Sequence, residues 1–201
     1  RMFWDNVAWI YDLFANLYNK KVNKELCRVV AEYINEGDNV LECACGTGLL
    51  SLHIASECGH LTATDFSENM LKIAGKKCSS FKNTIFEKAD ILNLGYPDNS
   101  FDKVVAGNVI HLLNEPVSAL KELVRVCKSG GRIIIPTYVV KEGKGRATAF
   151  VKAVGKAGAD FKQSFTFSSY RDFFKEAGYE LSGMTMIAGR VPCAVAVITK
   201  A

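Results

Sequence analysis

No apolar run in the sequence approaches the length of a bilayer span. Stretches such as residues 104–113 and 133–140 stop well short of the roughly 18 residues a membrane helix needs. No membrane span is expected. Charge of one sign is not in excess either: 25 Lys and Arg stand against 21 Asp and Glu, for a net charge of +4. The two signs are interspersed almost everywhere, so nothing in the charge pattern points to nucleic acid as a partner. There is no CxxC pair. Cys27, Cys43, Cys45, Cys58, Cys78, Cys127 and Cys193 form an odd set without metal-ligand spacing, which suggests neither a disulfide framework nor a zinc site. Reduced thiols in a cytoplasmic protein are expected, with no metal. The first residues lack the basic, apolar and small-residue regions of a secretory signal, which agrees with a cytoplasmic location. Internal repeats and low-complexity segments are absent.

What is there fits one globular domain over residues 1–201. A chain of 201 residues that is 49% hydrophobic can bury a core without disulfide or metal staples and has no room for a second substrate domain. From residue 40 onward short β-branched or apolar runs alternate with helical patterns, the signature of βαβ units in a mostly parallel sheet. Strands are expected over 39–44, 61–65, 84–89, 101–108 and 132–139. A helix is expected over 116–127, opened by Pro116, with Val117, Leu120, Val124 and Cys127 on one face and Gly130-Gly131 ending it. Near the end, a helix over 168–177 precedes a hairpin of 179–187 and 193–199 about the turn Gly189-Arg190-Val191-Pro192. Before the first strand, residues 5–35 carry apolar positions at helical spacing and no strand. A helical region over 1–38 is expected to cover the sheet. Residues 141–167 form the least regular stretch, a candidate substrate cap.

The densest signal is the segment from Val40 to Ser51, an apolar strand running through Gly46-Thr47-Gly48 into a helix. Ligands of open α/β sheets bind at the carboxyl ends of the strands, where such turns lie. Glycine there lets backbone approach a ligand, or simply supplies the dihedrals of a tight turn. Asp65 ends the next strand 19 positions after Gly46, the distance at which a carboxylate meets a ribose diol. A nucleoside ligand follows. A dinucleotide needs a third Gly or Ala and a helix N-terminus for its pyrophosphate, yet Ser51 stands at that third place and Glu42 would put a negative charge beside the phosphates. An ammonium suits Glu42 better.

With these residues the chain resembles the class I S-adenosylmethionine-dependent methyltransferases, most closely the small-molecule branch that includes the ubiquinone and menaquinone biosynthesis methyltransferases. The resemblance extends over nearly the whole chain. Glu42-Cys43-Ala44-Cys45-Gly46-Thr47-Gly48 is similar to the family's glycine-rich first motif, with Ala44 where glycine is usual, a departure expected to add only one methyl. Thr64-Asp65-Phe66-Ser67-Glu68-Asn69-Met70-Leu71 resembles the second motif and Ala89-Asp90-Ile91 the third. The stretch from Phe101 to His111 resembles the fourth, and Leu123 to Gly131 completes the series. The resemblance implies a Rossmann-like α/β sandwich, with a seven-stranded, mostly parallel sheet whose last strand is antiparallel. It implies that Glu42 and the backbone of Ala44, Cys45, Gly46 and Gly48 hold the methionine end of S-adenosylmethionine, and that Asp65 takes the ribose hydroxyls. Phe66 and Met70 would flank the adenine, Asp90 would accept its amino group over Ile91, and Asn108 with Val109 would lie beside the sulfonium. Tyr11-Asp12 resembles a pair near the start of related enzymes, which makes Tyr11 and Tyr18 candidate lid contacts.

Each role has a structural competitor. Asp65 could cap the helix that begins near Ser67, and Asp90 could be an ordinary turn residue. Phe66, Met70, Tyr11 and Tyr18 could be packing residues. Methyl transfer is an in-line displacement that needs alignment and desolvation more than a catalytic triad. A base matters only where the acceptor must lose a proton, and His111 is the imidazole nearest the expected methyl. His53 and His60 receive no role. The acceptor is expected to be a small molecule. Lys141, Lys144, Arg146, Lys152, Lys156 and Lys162 would suit an anionic one, or form a solvated face. Trp4, Phe150, Phe161, Phe165 and Phe167 would suit an aromatic one, or belong to the core. Two rival readings remain: a nucleotide-binding, NAD-type oxidoreductase, and a non-catalytic module that binds S-adenosylmethionine.

Overall fold

A computed structural model describes residues 18–140 and 162–201. Among these, the order is helix α1 (Lys20–Ala31), β1 (Asn39–Cys43), α2 (Leu49–Glu57), β2 (His60–Asp65), α3 (Glu68–Lys77), β3 (Thr84–Lys88), β4 (Phe101–Ala106), a 3-10 turn (Ile110–Leu112), α4 (Pro116–Val126), β5 (Cys127–Tyr138), α5 (Phe167–Glu176), β6 (Gly183–Ile187) and β7 (Cys193–Thr199). The strands form one seven-stranded sheet in the order β3-β2-β1-β4-β5-β7-β6. β1 to β5 pair in parallel, while β7 runs antiparallel between β5 and β6. The expected architecture is the one observed.

The central strands are apolar without alternation because both of their faces are covered. Val40, Leu61, Val105, Ile134 and Val197 join α1, α2 and Ala74 of α3 in one core cluster. Leu41, Val104, Ile133, Ile135 and Ile198 join α4 and α5 in the other. The described part of the expected N-terminal cover, α1, is therefore a helix of the flanking layer. Asn19, just before it, is buried and clasps the β6–β7 turn, donating to the Val191 carbonyl at 2.8 Å and accepting the Val191 N–H at 3.3 Å.

Several element boundaries differ from the sequence expectation, each for a local reason. α4 ends at Val126 and the chain enters β5 directly at Cys127, which pairs with Phe101. Gly130 and Gly131 thus serve a register shift in β5 and not a helix end. A Cβ on Gly131 would lie 2.7 Å from the Asp102 carbonyl oxygen and from Cys127 Sγ. β4 stops at Ala106, short of Asn108, because Asn108 is left-handed at φ 55°. β6 begins at Gly183 and not at 179. Gly178, at φ 84°, lets the chain turn back so that the Tyr179 N–H closes onto the Phe174 carbonyl at 2.8 Å, which ends α5.

The amino ends of the central strands are held by charge. Lys103 pairs with Asp38 at 3.0 Å and Lys128 with Asp102 at 2.7 Å, and Asp102 also accepts the Asn39 N–H at 2.9 Å. The carboxyl ends are left open. β1 and β4 are adjacent there although β2 and β3 intervene in the chain, so the sheet order reverses between them. A crevice forms at such a reversal.

Candidate functional site

At that reversal a cleft of about 350 Å3 is lined by the segments that follow four successive parallel strands. After β1 come Ala44, Cys45, Gly46 and Thr47; after β2, Asp65, Phe66 and Ser67; after β3, Ala89, Asp90 and Ile91; after β4, Gly107, Asn108 and Val109. The volume lies in the range of small-molecule sites.

The turn after β1 is strongly bent, with Ala44 at φ 55°, Gly46 at 54° and Gly48 at 81°. Glycine suits such dihedrals. Alanine pays a steric penalty, so Ala44 does more than add a methyl to the loop: it stores backbone strain beside the cleft. Gly48 has another task. As the residue before α2 it packs where a Cβ would sit 3.0 Å from Ala74 Cα, so it permits the approach of α2 to α3 and does not line the cleft.

Asp65 ties two of these segments together. One carboxylate oxygen accepts the Gly46 N–H at 2.9 Å and the other the Ser67 N–H at 2.8 Å. The cap of α3 is Ser67, whose hydroxyl accepts the Met70 N–H at 3.2 Å, so Asp65 is not that cap. A carboxylate oxygen can accept more than one hydrogen bond, so the bonds to Gly46 and Ser67 do not exclude a diol. Asp90 is both things the sequence allowed: it holds a turn by accepting the Leu92 N–H at 2.9 Å, and it lines the cleft. Phe66 is 40% exposed at the rim, with the Lys88 ammonium 5.8 Å from its ring centre, whereas Met70 is buried beneath.

Glu42 lies at the inner wall, only 2% exposed, and accepts the Ser51 hydroxyl at 2.5 Å. Burial pushes its carboxyl up to about 8, with the nearby Asp65 charge adding to the rise. Cys45 also lines the cleft, but burial and the charges of Glu42 and Asp65 push its thiol far up. All seven cysteines are free and buried. No group of three or more His, Cys, Asp or Glu among the described residues is placed to hold a metal ion.

Asn108 is fixed from two sides: its N–H donates to the Pro136 carbonyl at 2.8 Å and its Oδ1 accepts the Tyr138 N–H at 3.1 Å. The amide NH2 is thereby the end left for the cleft. Tyr138, at the end of β5, lines the cleft and donates its hydroxyl to buried Asn23 of α1 at 2.8 Å. Sequence reasoning missed Tyr138, together with Leu112 and Leu113 of the turn after Val109. The signal for Tyr138 was its place at the carboxyl end of the strand beside β4.

Two further expected site residues, His111 and Tyr18, stand outside the cleft lining. His111 is 5% exposed and outside the cleft lining; burial alone lowers its imidazole to about 4, and its carbonyl accepts the Gln163 N–H at 3.1 Å. Tyr18 stacks with Arg190 of the β6–β7 turn, 5.2 Å from guanidinium to ring centre, and does not line the cleft. Tyr11 falls outside the described residues, as do Trp4, Phe150, Phe161 and the basic residues from Lys141 to Lys156. Phe165 belongs to the core, packed against Tyr170 and Phe173.

Three carboxylates and no Lys or Arg line the cleft among the described residues. Such a lining suits a ligand with cationic groups and a ribose, and opposes a pyrophosphate. Fold and cleft together define a doubly wound α/β protein with a small-molecule cleft at the reversal of its sheet order. Residues 41–135 match the family described as a methyltransferase domain. The chain is 35% identical over 135 residues to the demethylmenaquinone methyltransferase of Staphylococcus epidermidis, an alignment covering 64% of this chain and 56% of that protein. It is 34% identical over 164 residues to that of Clavibacter sepedonicus, covering 75% and 66%. A solved S-adenosylmethionine-dependent methyltransferase from Thermotoga maritima superposes with a TM-score of 0.74 at 19% identity, over 100% of this chain and 99% of that one. Residues 41–135 thus form a methyltransferase domain, and the chain is similar to class I S-adenosylmethionine-dependent methyltransferases of the small-molecule branch. It spans about 56 to 66% of the length of these two curated relatives.

Proposed function

We propose that the protein transfers a methyl group from S-adenosylmethionine to a small-molecule acceptor, as one domain with the cleft as its active site. The observation that carries this reading is the set of carboxylates, Glu42, Asp65 and Asp90, delivered by three successive parallel strands to one cleft with no cation among its described lining. Glu42 receives the α-ammonium, the bent backbone from Ala44 to Thr47 approaches the methionine end, and Asp65 accepts the ribose hydroxyls. Asp90 accepts the adenine amino group, with Phe66, Met70 and Ile91 against the ring. Asn108 presents its NH2 beside the amino-acid end, its orientation fixed by the Tyr138 N–H. When bound, the cofactor supplies a sulfonium methyl with its leaving group built in, which makes in-line displacement the chemistry.

The protein's own work is then alignment and exclusion of water. Val109, Leu112, Leu113 and the ring of Tyr138 give the cleft an apolar side where an acceptor can lie against the methyl. An apolar or aromatic acceptor fits this wall, which agrees with relatives named for demethylmenaquinone. His111 can serve as a base only if the cleft opens toward it. Seven free thiols support a cytoplasmic setting, and no helix among the described residues is long and apolar enough to cross a membrane.

Calorimetric titration with S-adenosylmethionine, S-adenosylhomocysteine and NAD tests the reading. Micromolar binding of the first two and none of NAD is expected, followed by turnover when aromatic acceptors are screened. Binding of NAD alone would instead establish the oxidoreductase, and cofactor binding without turnover on any acceptor would favour a non-catalytic module.

A further inference from the structure

Glu42 is the penultimate residue of β1, and its carboxyl reaches the cleft from within the core. The titratable groups that face it come from several elements: Cys27 of α1, Cys43 and Cys45 on its own strand and turn, Asp65 at the end of β2, and Cys78 after α3. Its partners across the sheet, Ala63 of β2 and Val105 of β4, carry no charge. From α2 comes the fully buried Ser51, whose hydroxyl donates to Glu42 Oε2 at 2.5 Å. None of these groups is a cation. An ionised carboxylate here would have lost its water, would face the like charge of Asp65, and would be compensated by a hydroxyl.

Resting on the methyltransferase reading, we propose that Glu42 and Ser51 form a proton-releasing receptor for a ligand's α-ammonium. Glu42 stands as the neutral acid in the free protein. Entry of the amino-acid end of the cofactor, or of its demethylated product, drives the carboxyl proton to solvent while the ligand ammonium keeps its own, and the resulting carboxylate pairs with it. Ser51 is the positioning residue that aims the carboxyl and favours its charged form. Binding at this end of the cleft is thus coupled to one proton. A ligand with adenosine but no α-ammonium binds without proton release.

The test is calorimetry of S-adenosylhomocysteine and of 5′-methylthioadenosine in buffers of unlike ionisation enthalpy, from pH 6 to 8.5. With a Glu42 carboxyl at about 8, release of about 0.9 proton is expected at pH 7 for S-adenosylhomocysteine. Its affinity is expected to rise nearly tenfold per pH unit from 6 to about 7.5 and to flatten above 8. 5′-Methylthioadenosine should release none and show a flat profile. Glu42→Gln should abolish the release and the pH dependence together. Ser51→Ala should move the rise to higher pH, because it removes the hydroxyl that favours the carboxylate; a merely structural role would leave the midpoint in place. Heats independent of buffer with a flat profile would overturn the proposal and leave the methyltransferase reading standing. Equal proton release by 5′-methylthioadenosine would overturn it too, by placing the titrating group at the adenosine end. Failure of S-adenosylmethionine and S-adenosylhomocysteine to bind at any pH would remove the reading itself and the proposal with it.

Discussion

Ala44 is the residue at which sequence and backbone disagree most directly. An L-residue at its left-handed φ of 55° carries a steric penalty of about 1 kcal/mol. Ala44→Gly is expected to raise stability by about that amount less the entropy glycine adds to the unfolded chain. Urea unfolding of the two proteins gives the difference, and a clearly destabilised glycine variant would mean that the alanine methyl packs usefully against the cleft. Asp65 is the opposite case, since its type and spacing alone announced it. Asp65→Ala leaves the N–H groups of Gly46 and Ser67 without this acceptor and removes the proposed diol partner. Cofactor affinity should fall by about 1 to 3 kcal/mol, read by titration; unchanged affinity would displace the adenosine from this end of the cleft. Tyr138 was legible only by its place at the carboxyl end of β5; its hydroxyl's partner, Asn23, 115 positions away in the chain, was not. His111 is close to the fourth strand in sequence, yet it stands outside the cleft lining, buried in the turn Ile110–Leu112.

At the scale of elements, the alternation of β-branched runs with helical spacing fixed the sheet because that pattern reports burial, and burial is what the strands share. Boundaries were less legible where a glycine has more than one use. Gly130-Gly131 after a helix matches a helix stop, yet here α4 passes straight into β5 and the pair accommodates a register shift against β4. The two glycines are not equivalent. Gly130 is left-handed at φ 76° with open space around its Cα, so Gly130→Ala should lose about 1 kcal/mol. Gly131→Ala would drive a Cβ to within 2.8 Å of the Asp102 and Lys128 carbonyl oxygens, and should lose about 3 kcal/mol, at the upper end of overpacking. Thermal unfolding of the pair separates the explanations. Equal, small losses would show that the register shift relaxes freely; a larger loss at Gly131 shows that its close approach to the Asp102 and Lys128 carbonyls fixes the register at the start of β5.

Across the whole molecule, opposite ends of the sheet do different work: ion pairs hold the amino ends of the strands, and acid groups stand at the carboxyl ends, with Glu42 buried among them. Two buried groups then set how stability follows pH. His111 is lowered by burial from about 6.5 to about 4, so the folded state resists its protonation; that contribution is complete above 6.5 and is lost as pH falls toward 4. Glu42 is raised from 4.5 to about 8, so its contribution is complete below 4.5 and is lost as pH rises toward 8. Between about 4.5 and 6.5 the two slopes are opposite and equal, about 1.4 kcal/mol per pH unit each, and they cancel. Above 6.5 only Glu42 acts. The free protein should therefore lose about 1 kcal/mol between pH 6.5 and 8. Glu42→Gln should flatten that limb and be the more stable protein at pH 8, at the expense of cofactor affinity. Saturating S-adenosylhomocysteine should flatten it as well, since a paired carboxylate no longer resists ionisation. Chemical denaturation at pH 5.5, 6.5 and 8, with and without ligand, measures all of these differences. A wild-type limb that stays level between 6.5 and 8 while the ligand still binds would mean that Glu42 is already ionised in the free protein, and that its burial is compensated by something other than Ser51.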